Sequence, residues 1–288
     1  MIHIEKPITT PKALQEVQAQ IESDLLRQRA KFKWTNNLYS EPIKKELKDL
    51  YHNKCAFCQT ELTENDTEAK FTVEHYRPKT HYWWLGNEWT NLFPTCRKCN
   101  DNKKDDFPLR SERKRLLTVP LVGAAIDRIQ CGAEHPTLLD EEPYFLHPEV
   151  DLRKNYFEFC TDGSIVPAQG LSNWEQSRAQ TMIAKFLGIP SITEKRLRRI
   201  KDFQNDLSRA VDNFLQICGS DYDKKHIKLA FNPFFEKLLV ATAHEAEFSQ
   251  LGYWMSEKFE EFFLIGYPAE IQALLRYALK NFITDYRY

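Results

Sequence analysis

The chain has 288 residues, with Lys+Arg 40 against Asp+Glu 41 and a formal net charge of -1. Hydrophobic residues make up 42% and charged residues 28%, the mix of a globular protein with a sizeable core rather than a disordered or fibrous one. Near-neutrality excludes a uniformly basic nucleic-acid coat, so any such contact must come from a local patch. No apolar run approaches the roughly 20 residues that a membrane helix needs. The first six residues, Met1 to Lys6, lack a signal peptide's apolar stretch. The expected setting is therefore a reducing cytoplasm, where paired CxxC motifs signal metal or redox chemistry more often than structural disulfides.

In chain order, Pro11 opens an expected helix to about Lys33, with Leu14, Val17, Ile21, Leu25 and Leu26 at helical spacing. A second helix, Ile43 to His52, leads into Cys55. From Cys55 to Pro108 the pattern breaks into clustered Cys, His, Trp and Asn, with a β-prone run at Lys70-Phe71-Thr72-Val73. Residues 130–170 read as irregular structure with short strands such as Tyr156-Phe157-Glu158-Phe159, and Asp162-Gly163 is a hairpin-turn candidate. From about Asn173 the chain is expected to be helical. Leu197, Ile200, Phe203, Leu207, Val211, Phe214 and Leu215 recur three or four apart. Further helices are expected at Pro233–Ala246, Trp254–Leu264 and Ala269–Phe282. The expected organisation is a metal-rich module over residues 1–125 and a second region over 126–288 that becomes helical.

Cys55-Ala56-Phe57-Cys58 and Cys96-Arg97-Lys98-Cys99 are two CxxC pairs with 37 residues between them. Two residues between thiols suit a tight knuckle that turns both sulfurs to one ion, and four thiolates close a tetrahedral zinc shell. A redox pair or unrelated buried thiols are the alternatives. The absence of a βαβ pattern around either pair favours structural Zn2+. A closed shell of this kind does no chemistry, but it makes the module depend on metal for folding, with about 10 kcal/mol or more of apparent binding energy.

Between the pairs, Thr72-Val73-Glu74-His75 reads as a strand end carrying a carboxylate beside an imidazole. Alternation sends adjacent side chains to opposite faces, so both serve one site only where the strand bends or ends. Asn91 follows His75 by 16 positions. Asn100 follows Cys99 on an expected first helical turn, with Lys103 and Lys104 on the same face.

This order resembles the HNH endonucleases, whose ββα-metal finger is often built around a CxxC…CxxC knuckle. Glu74-His75 matches the acidic-His element, Asn91 the central Asn, and Asn100 the final element, where other members carry His. The match covers residues 55–104. The run Glu74-His75-Tyr76-Arg77-Pro78-Lys79, with Trp89 and Asn91-Leu92-Phe93-Pro94-Thr95-Cys96, is similar to the PtuB-type HNH proteins of Septu and retron anti-phage systems. Ile4-Glu5-Lys6-Pro7 and the helical tail are compatible with it. The fold implied is α+β, a small zinc-stapled ββα-metal finger embedded in a mostly α-helical protein. The activity implied is that of a bacterial, cytoplasmic, metal-dependent endonuclease acting on DNA, in an antiviral defence complex. Its implied partners are a PtuA-like ATPase docked on the helical tail and, in retron versions, a reverse transcriptase with its DNA product.

On that resemblance His75 is the catalytic base, competent as neutral imidazole. Glu74 and Asn100 offer oxygen ligands to Mg2+ or Mn2+. Asn91 holds the loop that carries His75. Arg77, Lys79, Lys103 and Lys104 are the expected nucleic-acid contacts. Residues 97–115 carry eight basic side chains against four acidic ones, which fits a phosphate-tracking groove. Lys195, Arg196, Arg198, Arg199 and Lys201 form a second basic run. The bland readings are a solvated carboxylate at Glu74, an ordinary surface His75, a helix-start Asn100 and a turn Asn91. Together they amount to a zinc-stapled binding module without catalysis. Tyr82-Trp83-Trp84 is expected to pack over the finger rather than stack on bases, and His81 is a weaker site candidate.

Overall fold

The computed structural model describes residues 5–7, 9–16, 18, 41–151, 155–218 and 223–286. Helices dominate, and the strands among the described residues form three two-stranded sheets. Among these residues no helix is long and apolar enough to cross a membrane. The chain divides into two compact units: Met1–Phe157 with Pro167–Leu187, and Glu158–Val166 with Gly188–Tyr288. This differs from the division expected at 125/126. Two contacts show why residues 167–187 fold with the cysteine pairs. Arg178 grips Asp151 through both guanidinium nitrogens at 2.6 and 2.7 Å, and Phe186 stacks on Phe57 with ring centroids 4.3 Å apart.

In the first unit, residues 12–16 are helical, and the amides of Leu14 and Gln15 bond back to Pro11. Most of the helix expected to run to Lys33 lies outside the described residues. Helix α1 (Glu41–Leu50) buries Ile43 and Leu47, which form one apolar cluster with Leu14, Trp89 and Leu92. His52 and Asn53 then turn the chain through left-handed backbone, at φ 50° and 54°, and deliver it to Cys55.

Strands β1 (Phe71–His75) and β2 (Leu92–Cys96) pair antiparallel, from Phe71 opposite Cys96 to His75 opposite Leu92. Helix α2 (Arg97–Lys103) begins where β2 ends, with Cys96 as its cap. A short hairpin follows, β3 (Leu121–Val122) and β4 (Ala125–Ile126), and then the single turn of helix α3 (Pro136–Leu139). Strands β5 (Phe157–Phe159) and β6 (Ile165–Pro167) make the hairpin expected around Asp162-Gly163. Helix α4 (Asn173–Met182) opens with a Ser172/Glu175 capping box and runs into a π-helical turn, Ile183–Leu187.

The second unit is built on α5 (Pro190–Cys218), α6 (Lys224–Thr242), α7 (Ser249–Glu257), a π-helical turn at Glu260–Leu264, and α8 (Ala269–Tyr286). Most of the expected apolar stripe of α5 is buried, with Ile200, Phe203, Leu207, Val211 and Phe214 inside, while Leu197 is half-buried and Leu215, at the edge of the stripe, is exposed. Phe231, Phe234 and Phe235 of α6 meet it as core. Helix α6 begins nine residues before the expected start at Pro233, because an Asp223/His226 capping box opens it and Pro233 is accommodated inside. At Gly252 a Cβ would stand 2.1 Å from the Ala241 carbonyl oxygen, so only glycine lets α7 approach α6. Arg196, in the second basic run, is buried and donates to the Gly163 carbonyl at 2.8 Å, and Arg198 pairs with Glu194. That run is therefore not a continuous cationic face.

Candidate functional site

Cys55 and Cys58 sit on a turn after α1, while Cys96 and Cys99 sit at the junction of β2 and α2. The Ala56 amide bonds to the Pro94 carbonyl at 2.9 Å and holds the first pair against the second. All four sulfurs are buried and lie within 4.8 Å of one another. Cys58 Sγ and Cys96 Sγ are 3.7 Å apart. Tetrahedral zinc with Zn–S bonds of about 2.3 Å requires sulfur pairs about 3.8 Å apart, so the donor set and its spacing fit the ion. Among the described residues this is the one group of three or more His, Cys, Asp and Glu able to hold a metal together.

Glu74 and His75 end β1, and the alternation of the strand separates them. The Glu74 carboxylate turns toward α2 and accepts from Lys103 Nζ at 2.7 Å. The same ammonium donates to the His75 carbonyl oxygen at 2.8 Å. Lys103 is 0% exposed. Burial pushes the Glu74 carboxyl up, against the pull of Lys103. Asn100, one turn before Lys103, donates its amide to Thr72 Oγ1 at 3.1 Å. Thr72 and Glu74 share one face of β1, so Asn100 and Glu74 address the same side of the strand. The Thr72 hydroxyl itself donates to the Thr95 carbonyl at 3.0 Å. Glu74 and Asn100 are hard oxygen donors of the kind Mg2+ or Mn2+ takes.

The His75 imidazole goes to the other side. Its Nε2 is 3.0 Å from the Gly86 carbonyl oxygen, which can only accept, so Nε2 carries the proton and the lone pair is on Nδ1. Burial, followed by the charge of Lys79, pushes its pKa down to about 3. The ring is therefore neutral at physiological pH, although only 7% of the residue is exposed.

Asn91 ties these pieces together. Its side-chain oxygen accepts from the Arg77 amide at 2.8 Å, and its NH2 donates to the carbonyls of Arg77 at 3.1 Å and Leu85 at 2.9 Å. Its own carbonyl accepts from the Tyr76 amide at 2.9 Å. Asn91 thus pins the chain just after His75 to the chain just before Gly86. Lys6 braces the same turn. Its ammonium donates to the carbonyls of Trp89 (2.9 Å) and Leu92 (2.5 Å), pairs with Glu149 (2.8 Å), and lies over the Trp89 and Phe93 rings.

Four side chains were expected to meet nucleic acid, and they divide. Lys104 is exposed and Lys79 is half-buried, with its charge close to Glu74 and Asp105. Arg77 and Lys103 do not fit that expectation. Arg77 is 3% exposed, its Nε donates to the fully buried Glu141 at 2.8 Å, and its Nη2 donates to the Leu138 carbonyl. Both cations pair with buried carboxylates, and neither reaches the surface. Tyr82 and Trp84 are packed inside, and His81 is exposed. Thr72 and the Gly86 carbonyl escaped the sequence reading. Thr72 was legible by alternation, two positions before Glu74, whereas nothing in the loop composition marks Gly86.

Two relatives share part of this chain. It is 34% identical over 105 residues to Septu protein PtuB of Bacillus thuringiensis, which covers 36% of this chain and 37% of that protein. The chain is similar to Septu PtuB proteins. A second PtuB, from Bacillus mycoides (strain KBAB4), is 26% identical over 178 residues, 57% of this chain and 52% of its own. The matches thus span about half or less of the length of these relatives. No protein-family profile matches the chain.

Proposed function

We propose that the chain is a metal-dependent endonuclease of the HNH type, the effector of a bacterial anti-phage defence complex with a PtuA-like ATPase. The observation that carries this reading is the order and placement of the β1–β2–α2 unit. A four-cysteine cluster staples it, Glu74 and His75 close β1, Asn91 bridges the loop, and Asn100 and Lys103 face β1 from α2. The similarity to PtuB proteins supports the defence setting.

In this reading Nδ1 of His75 takes the proton from the attacking water, while Nε2–H stays anchored on Gly86 and fixes the ring. Glu74 and Asn100, on the opposite side of β1 from the imidazole, would hold a divalent cation that would neutralise the charge growing on the scissile phosphate, the two sides meeting at one phosphate only beyond the strand end at His75. Lys79 and Lys104 meet backbone phosphates. Lys103 pairs with Glu74 inside the protein and, through the His75 carbonyl, holds the strand end in place. A panel of DNA and RNA substrates with Mg2+, Mn2+ or chelator tests this. The expected result is DNA cleavage only with added metal, leaving 5′-phosphate and 3′-hydroxyl ends.

The burial of Glu74 and His75 favours a second reading, a zinc-stapled binding module without catalysis. It predicts a full zinc site and no nicking under any divalent metal.

A further inference from the structure

The stretch that carries Asn91 is gripped by groups far from it in the chain. Its four successive carbonyls, from Trp89 to Leu92, each accept from outside the stretch. Lys6 Nζ donates to the Trp89 carbonyl at 2.9 Å and to the Leu92 carbonyl at 2.5 Å. His147 Nε2 donates to Thr90 at 3.0 Å, and the Tyr76 amide donates to Asn91 at 2.9 Å. The two carbonyls that Lys6 holds lie on either side of Asn91. Leu92 is also the residue opposite His75 across the β1–β2 pair. One ammonium therefore fixes both the strand position facing His75 and the turn whose Asn91 side chain bonds Arg77 and Leu85.

The Lys6 side chain is only 2% exposed, and its ammonium lies over the Trp89 and Phe93 rings at 4.7 and 4.2 Å. Taking that charge out of water is costly, and Glu149 offsets the cost from 2.8 Å. Glu149 also accepts from Tyr51 Oη at 3.0 Å, and its amide donates to His147 Nδ1 at 3.2 Å. Lys6 and His147 are thus joined through Glu149 around one turn. Apolar side chains of similar volume often replace a buried ion pair with no loss of stability, so filling this space does not itself require a charge. What an apolar side chain cannot supply is donors. The ammonium has three, and they go to Trp89, Leu92 and Glu149.

We propose that Lys6 is a positioning residue for the His75 site: its ammonium fixes the Trp89–Leu92 backbone so that Asn91 keeps the His75 and Gly86 segments at their working separation. The role rests on the nuclease reading and adds to it that a side chain more than 80 residues from the turn is part of the support of the imidazole. Lys6 acts through Asn91 and Leu92 and is not itself a catalytic residue. Small displacements of a reacting group are costly to turnover, so loosening this grip lowers the rate of the chemical step rather than the affinity for DNA.

The test uses the full-length, zinc-loaded protein. Lys6→Met keeps a stem of similar length, removes the donors and leaves Glu149 buried without its cation. Lys6→Met with Glu149→Gln removes that stranded charge as well, and should be more stable in urea than Lys6→Met alone. Its kcat on DNA should still fall about tenfold or more, with KM unchanged to within about twofold. With 15N-labelled histidine, the ring N–H signal that is lost in His75→Ala should exchange with water faster in the double variant. A folded double variant with wild-type kcat overturns the positioning role. So do a raised KM at unchanged kcat, an unchanged His75 exchange rate, and a double variant that does not fold, which makes Lys6 a residue of the fold alone. A wild type that cuts no substrate sinks the nuclease reading as a whole, whereas an active wild type beside an equally active double variant sinks the Lys6 role alone.

Discussion

Lys103 Nζ lies 2.7 Å from Glu74 Oε1, and neither side chain is more than 7% exposed. A buried ion pair of this kind is costly to break, because the partner left behind is an uncompensated charge. Lys103→Met is therefore expected to destabilise the protein by about 3–5 kcal/mol, and Lys103→Met with Glu74→Gln by less than the sum of the two single changes. Urea unfolding of the four proteins measures the coupling. Strict additivity would show that the pair does not act as a unit.

Zinc removal has a second expected outcome. The protein should hold one zinc per chain, and a strong chelator or Cys58→Ser should melt the first unit, since the β1–β2–α2 junction has the cluster at its corner. Metal analysis with thermal unfolding checks this, and unchanged melting after complete zinc loss would contradict it.

Asn91→Ala removes the acceptor for the buried Arg77 amide and the donor for two carbonyls. A loss of about 1–3 kcal/mol is expected for the orphaned groups. Cleavage should fall with it even when the variant is folded, because the His75 and Gly86 segments separate. Turnover at a temperature where the variant is fully folded is the readout.

Acid should destabilise the protein early. His75 is pushed down to about 3 by burial and Lys79, and His147 well below its ordinary value by burial and Arg77. His147 is locked neutral, with Nε2–H on the Thr90 carbonyl at 3.0 Å and Nδ1 accepting from the Glu149 amide at 3.2 Å. For a lowered pKa the unfolded chain binds the extra proton. The stabilisation is therefore complete above about pH 6.5 and is lost as pH falls toward the folded values, by up to about 1.4 kcal/mol per pH unit for each histidine. Unfolding free energies between pH 7 and 5 should slope less for His147→Gln than for the wild type.

Much of this was legible in the residues themselves. The two CxxC spacings anticipated the four-sulfur cluster, and apolar periodicity anticipated α5 and the helices after it. Alternation warned that Glu74 and His75 would diverge, and they do: one turns to Lys103 and the other to Gly86. Burial was not legible. Arg77 and Lys103 read as surface cations because sequence shows a charge but not the carboxylate that neutralises it. Glu141 lies 64 positions from Arg77 and Glu74 lies 29 from Lys103. Lys6 is a similar case, an N-terminal cation enclosed by Trp89 and Phe93, more than 80 residues away.

The central claim is that the His75 imidazole removes the proton from the water that cuts the phosphodiester. The most direct measurement is the cleavage rate of zinc-loaded, folded His75→Ala against wild type, with saturating Mg2+ or Mn2+ on the same DNA. A fall of about 100-fold or more is predicted for loss of a general base. Equal rates in the two proteins would contradict the account.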